Sequence, residues 1–180
     1  MNAAVALIAA SALAQGAPPA RAADCLISLG AVSKTAPRFS DYPARREPKT
    51  RPARVVIAAK DARAFRSQLR QGAARGPNFA GHYTVVAWAC GASCTDWAIV
   101  DARTGQVSFP PHLRDLSTAN VDPEQDPAGL RYRPGSRLIA VLGAPEEDEV
   151  REGVGFYAWD GKRLNPVAFF SRRGGCSAAQ

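Results

Sequence analysis

Along the chain the hydrophobic positions change period, and the change marks a change of element. From Asp61 to about Gln71, Ala62, Phe65 and Leu69 recur on one face of a helix while Arg63, Arg66 and Arg70 turn outward. Asp61 is placed to cap the first turn, and Gly72, Gly76 and Pro77 end the helix. Beyond Pro77 the spacing becomes that of strands. His82 to Ala89 (HYTVVAWA) and Trp97 to Asp101 (WAIVD) are rich in β-branched and aromatic residues and flank a short cysteine loop, which predicts an antiparallel hairpin. The turn from Asp101 to Gly105 places glycine where φ can become positive and leads into a third strand over Gln106 to Phe109. Pro110, Pro111, Pro123, Pro127 and Pro134 make the next stretch loop-rich, until Arg137 to Leu142 (RLIAVL) gives a short apolar strand. After a second loop at Pro145, Val154 to Trp159, the Asp160-Gly161 turn and Lys162 to Phe170 form a final hairpin. Pro166 sends its second strand to an edge or a bulge.

This pattern predicts an α+β, mostly β fold: a single antiparallel sheet of about six strands with one amphipathic helix, because turns this short cannot make parallel crossovers. It also divides the chain. Residues 61–180 form the globular domain, and 23–60 an extended basic arm in which Pro37, Pro43, Pro48 and Pro52 alternate with Arg38, Arg45, Arg46, Lys49, Arg51 and Arg54. Residues 1–22 read as a signal peptide, with an apolar core from Asn2 to Ala14 and small residues at Ala20 and Ala22 that suit cleavage before Ala23. Cleavage after Ala14 is the competing choice, and no Lys or Arg precedes the apolar run. Asp24 before Cys25 does not fit a lipidated cysteine. The expected location is periplasmic or secreted, with no transmembrane segment in the mature chain: no apolar run approaches the roughly 20 residues a spanning helix needs.

Export changes what the four cysteines mean. Cys25, Cys90, Cys94 and Cys176 all survive cleavage into a compartment that permits disulfides, and they allow three pairings. The expected set is Cys90 with Cys94 and Cys25 with Cys176. An extended strand would hold Cys90 and Cys94 about 13 Å apart, against about 5.5 Å for bridged Cα atoms, so Gly91 to Ser93 must turn. Loop closure makes the short bridge worth about 2 kcal/mol and the terminal one about 5 kcal/mol.

The formal net charge is +7, unevenly spread. Lys34 to Arg75 holds twelve basic residues against Asp41, Glu47 and Asp61, whereas Asp115 to Glu152 holds nine acids against Arg131, Arg133, Arg137 and Arg151. Such a basic stretch fits anionic envelope components; export and the lack of a nucleic-acid-binding signature argue against DNA or RNA. Of the 23 basic residues 19 are Arg, so compositional bias alone can also produce it.

No residue is assigned a catalytic, cofactor-binding or metal-binding role. Cys90-x-x-x-Cys94 lacks the two-residue spacing and helix N-terminus of exchange enzymes and reads as structural. His82 stands eight strand steps, about 26 Å, from Cys90, too far for a local dyad. A zinc site would need His82 and His112 together with thiolates that oxidation removes. Ser93 lies in Gly-x-Ser-x-Thr, not in a nucleophile elbow. Asp122, Glu124 and Asp126 have calcium-loop spacing but meet Pro127 where glycine is required, and they read as solvated loop acids, like Glu146 to Glu149. Acid pairs for glycoside cleavage meet in space and stay open. Closing the hairpin at the cysteines sets Trp88 opposite Asp96 and Ala87 opposite Trp97. His82, Trp88, Asp96 and Trp97 are therefore the candidate binding surface.

Asn78 to Val107 (NFAGHYTVVAWACGASCTDWAIVDARTGQV) resembles small exported bacterial proteins that share an Asn-Phe-Ala-Gly-His-Tyr start, a Trp-x-Cys-Gly-x-x-Cys loop and an Asp-x-x-Thr-Gly turn. That resemblance implies export and carries no activity. The cysteine-bracketed loop between strands also resembles periplasmic lysozyme inhibitors of the Ivy type, whose loop carries a His into the lysozyme active site. Gly91-Ala92-Ser93 is one residue shorter and has no His, so the inhibitory residue has no counterpart. A cationic chain also meets a cationic lysozyme slowly. The expected function is a periplasmic, non-enzymatic binding or envelope-associated module. The alternatives are a hydrolase acting on envelope polymers and an inhibitor of a lysozyme-like enzyme.

Overall fold

The computed structural model describes residues 25–32, 34–47 and 51–172. Its eight strands form two antiparallel sheets of four. The first contains β1 (Tyr83–Gly91), β2 (Cys94–Asp101), β3 (Val107–Ser108) and β4 (Leu116–Ser117), with β2 central and both short strands pairing with it. The second is a meander of β5 (Leu130–Tyr132), β6 (Leu138–Gly143), β7 (Gly153–Trp159) and β8 (Leu164–Ser171). The strand periods are as the sequence predicts, but the single sheet of about six strands is not what forms. The chain leaves the first sheet in the proline-rich stretch, and β4 and β5, of two and three residues, are too short to show a period.

Alternation along β2 and β6 sets the layers. Trp97 and Ile99 of β2 meet Ile139 and Val141 of β6 in the core between the sheets. The opposite side of β2, Ala98 and Val100, packs with Val86 against Ala62, Leu69 and Ala73 of the helical segment. The opposite side of β6, Leu138, Ala140 and Leu142, is covered by Leu29, Val32, Ala36, Phe39 and Tyr42. Residues 25–32 and 34–47, read from the sequence as part of an extended arm, thus lie against the second sheet, fastened by Arg137 N–H to Tyr42 C=O and Ala44 N–H to Gly135 C=O at 2.8 and 2.9 Å. The helix divides into α1 (Lys60–Ala64) and α2 (Arg66–Ala73) because Phe65 leaves helical geometry, at φ −106° and ψ 24°. Its ring then lies 4.8 Å from that of Trp88.

The sheets are stitched at one end. Ser117 and Ala144 exchange backbone hydrogen bonds of 2.9 and 3.0 Å, which brings β4 against the end of β6 at Gly143. Gly143 has φ +124°, and a Cβ there would lie 2.1 Å from the Ser117 carbonyl oxygen, so only glycine permits this approach. β8 is an edge strand whose register shifts beside Pro166, as a proline in that place requires.

The Asp160-Gly161 turn between β7 and β8 is organised by one carboxylate. Asn165 Nδ2 and the N–H groups of Arg163 and Lys162 all donate to Asp160 at 2.9 Å, and they hold its carboxyl far below the usual range, the Asn165 bond most strongly. A depressed native pKa adds stability that is complete above the unfolded value near 3.8 and drains away as pH falls below it. Asp160→Ala is therefore expected to lower the urea midpoint at pH 6, with the gap from the parent protein closing in titrations near pH 2.

Candidate functional site

The β1–β2 hairpin ends in an exposed tip. Its register pairs Ala87 with Trp97, Trp88 with Asp96 and Ala89 with Thr95, then shifts by one residue so that Gly91 faces Cys94. This register puts Cys90 and Cys94 within disulfide reach, with Cα atoms 5.2 Å apart, and the bond is formed. Residues 89–93 are exposed. Ser93 adopts φ +50°, and its carbonyl accepts a 2.7 Å bond from Thr118 N–H, which ties the tip to the segment after β4. The two sulfurs and the Asp115 carboxylate lie within 4.8 Å of one another, but sulfurs joined to each other are not thiolate ligands. Cys176 is outside the described residues, as are the expected leader and cleavage site, so the pairing with Cys25 stays an expectation. Replacing Cys90 and Cys94 together by Ser is expected to cost about 2 kcal/mol, the entropy of a five-residue loop, measured by urea unfolding. The hairpin itself should survive, because β2 is held on both sides.

Beneath the tip the chain builds a charged brace inside an aromatic box. Asp96 is 1% exposed and accepts two bonds from Arg114, from Nε at 3.0 Å and from the outer guanidinium nitrogen at 2.5 Å. The other nitrogen of Arg114 reaches Asp61 on α1 at 3.1 Å. The guanidinium lies over the rings of Phe109 and Phe65, at 4.8 and 5.5 Å, and Trp88 stands against both rings. The hydrogen bonds that Arg114 donates to Asp96 raise the pKa of its guanidinium still further, so it is a permanent cation. The Asp96 carboxylate is thus occupied as an acceptor, by Arg114 and by the Trp97 N–H at 2.8 Å. The chemistry available here is rigidity and recognition: a fixed cation, aromatic faces, and a buried Trp88 indole N–H that meets no acceptor among the described residues.

The four residues grouped from sequence do not form one surface. Trp88 and Asp96 meet in the brace. Trp97, one step from Asp96, points to the other side of the sheet, where it is fully buried between the sheets and donates its indole N–H to Leu113 C=O at 2.7 Å. His82 precedes β1 at the opposite end of the hairpin. Its Nδ1 lies 3.2 Å from Glu47 and its Nε2 3.8 Å from Asp101, and Arg103 Nε also binds Glu47, at 2.9 Å. That cluster fastens the N-terminal segment to the turn after β2.

One other sequence expectation changes, while Glu146, Glu147 and Glu149 stay exposed as expected. Of the acids with calcium-like spacing, Asp122 caps its own turn, accepting from Glu124 and Gln125 N–H at 3.0 and 3.2 Å, and Asp126 is not a solvated loop acid. It is 2% exposed and paired with Arg131, because the chain folds back between the two residues. In the acidic run, Glu146 is bound by His112 and Arg151, at 3.3 and 3.0 Å. Non-glycine residues with positive φ concentrate here, at His112, Asp115, Glu146 and Glu147, where two loops touch through Glu146 N–H and Arg114 C=O at 2.8 Å. Beside them a recess of about 390 Å³ is lined by Val150, Arg151, Tyr157, Val167 and Phe169.

The residues that sequence reasoning does not assemble are Phe65, Phe109 and Arg114. The first two are visible as apolar positions of a helix and a strand, but nothing local marks Arg114, which reaches Asp96 across the chain from a proline-rich loop. Among the described residues no helix is long and apolar enough to cross a membrane. Comparison with protein-family models, with curated proteins and with solved structures finds no match to this chain.

Proposed function

We propose that the protein is an exported, non-enzymatic binding module of the cell envelope, and that the outer half of the β1–β2 hairpin is its contact element. The observation that carries this reading is the tip itself: residues 89–93 are exposed, closed by the Cys90–Cys94 bond and seated on the Asp96–Arg114 brace. A contact loop that is ordered before binding loses little conformational entropy when it meets a partner. The same feature fits the narrower idea of a loop that enters an enzyme's cleft, although Gly91-Ala92-Ser93 brings no ionisable side chain to it. Hydrolysis of envelope polymers has less support, since Asp96 and Asp61 are both paired with the one Arg114 guanidinium and do not face each other across an open cleft as a free acid pair would. The export signal and the resemblance of residues 78–107 to exported bacterial proteins both support an envelope setting.

The test has two parts. Mass spectrometry of the protein from its host's envelope fraction should find a mature start near Ala23 with Cys90 bridged to Cys94; an uncleaved cytosolic chain would overturn the setting. The purified mature chain should then co-sediment with isolated sacculi or anionic lipid vesicles, or inhibit a lysozyme. Ala92→Glu at the tip should weaken that activity at least tenfold while leaving the melting temperature unchanged. Failure in all three assays, or full activity of Ala92→Glu, would overturn the reading.

A further inference from the structure

β1 is an edge strand, and its outward backbone groups are covered along only half its length. The Tyr83 carbonyl accepts from the N–H groups of Asn78 and Phe79, both at 2.9 Å. Val85 donates to Asn78 Oδ1 at 2.7 Å, and its carbonyl accepts from Asn78 Nδ2 at 3.0 Å. Asn78 therefore stands in for a neighbouring strand at the first two outward positions. Outward positions recur every second residue, so Ala87 and Ala89 aim their N–H and C=O groups the same way. Among the described residues nothing bonds to them there, and both are exposed. An open edge of this kind is what a strand from another chain completes.

A recess of about 210 Å³ opens beside this stretch, lined among others by Gln68, Gln71, Arg75, Trp88 and Tyr132. Arg75 is exposed and has no carboxylate partner among the described residues. The adjoining α2 carries Arg66 and Arg70 and no acid. Trp88, whose indole N–H meets no acceptor among the described residues, lines the same recess.

We propose that the open half of β1, from Ala87 to Ala89, takes up an extended acidic peptide segment of a partner protein as an added strand, with an Asp or Glu of that segment on Arg75. The inference rests on the binding reading above and names its partner class. Backbone hydrogen bonds supply the pairing, and the recess with its cation selects the side chains. A second copy of this chain fits less well: joining two β1 edges about a two-fold axis would bring the two copies of Arg75 towards each other, and like charges oppose association.

The probe is a displayed library of ten-residue peptides, selected on the immobilised mature chain and followed by titration of the enriched peptides. The variants are Arg75→Gln, Ala92→Glu, and the double Ala87→Pro/Ala89→Pro, which deletes the two outward donors and leaves those facing β2 in place. The expected result is enrichment of peptides rich in Asp and Glu. Their binding should fall at least tenfold in Arg75→Gln, vanish in the proline double variant and fall less in Ala92→Glu than in Arg75→Gln. Since Arg75→Gln leaves the strand intact, its effect is readable even if the proline variant fails to fold. Enriched peptides that ignore Arg75→Gln and are lost in Ala92→Glu would overturn the edge site while leaving the tip reading in force. Failure to enrich any acidic peptide, or self-association of the chain through β1, would also overturn it.

Discussion

Replacing Trp97 with alanine is expected to lower stability by about 3–5 kcal/mol, the range for truncating a buried aromatic ring. Trp97 is 0% exposed and packs with Phe79, Ile99, Leu116, Ile139 and Trp159, so its ring helps hold one sheet to the other. Truncation also strips the Leu113 carbonyl of its 2.7 Å donor. Trp97→Phe separates the two effects. It keeps most of the packing and loses the donor, and should cost about 1–3 kcal/mol, the penalty of an unsatisfied buried acceptor. Urea unfolding measures both, and for a chain of this length the alanine variant should melt roughly 10 °C lower. A Trp97→Ala protein with parental stability but impaired binding would return Trp97 to the recognition surface.

The second large effect is expected at Asp96. Asp96→Ala leaves the Arg114 guanidinium among Phe65, Phe109 and Trp88 with only Asp61 as a partner. Breaking a buried ion pair from one side costs about 3–5 kcal/mol, because the surviving charge remains desolvated. The Arg114 side chain is 23% exposed and keeps Asp61, so the lower end, about 3 kcal/mol, is expected. Asp61→Ala should cost less than about 1 kcal/mol, since the Asp61 side chain is 51% exposed and its pair is screened. The double variant Asp96→Ala/Arg114→Ala should be more stable than the two single losses sum to, and a double-mutant cycle reads that coupling directly. Purely additive losses would mean that the brace contributes nothing as a pair.

Where a segment is long enough to repeat, the sequence makes the structure legible. The 3.6-residue spacing of Ala62, Phe65 and Leu69 marks the helical face, and the two cysteines fix a register that sets Trp88 opposite Asp96. Even there one step matters: neighbours on a strand face opposite ways, so Asp96 enters the brace while Trp97 enters the core. The break at Phe65 has no breaker residue to announce it, and the ring there lies against those of Trp88 and Phe109 from distant parts of the chain. β4 and β5 are hidden for a different reason, because two- and three-residue strands gain their stability from partners elsewhere in the chain. Arg114, Arg131 and Asn78 are opaque to local reading. Each acts on a group that only the folded chain brings near, respectively a buried aspartate, a second buried aspartate and an exposed strand edge.

The most direct test of the hairpin as a recognition element is site-specific photo-cross-linking in the envelope of the native host. A photoreactive side chain is placed at Ala92 on the tip and, as a control, at Lys162 in the exposed β7–β8 turn. The hairpin reading predicts a discrete adduct from position 92, absent from position 162 and competed away by excess unlabelled protein. Equal labelling at both positions, or no adduct from position 92, would contradict it.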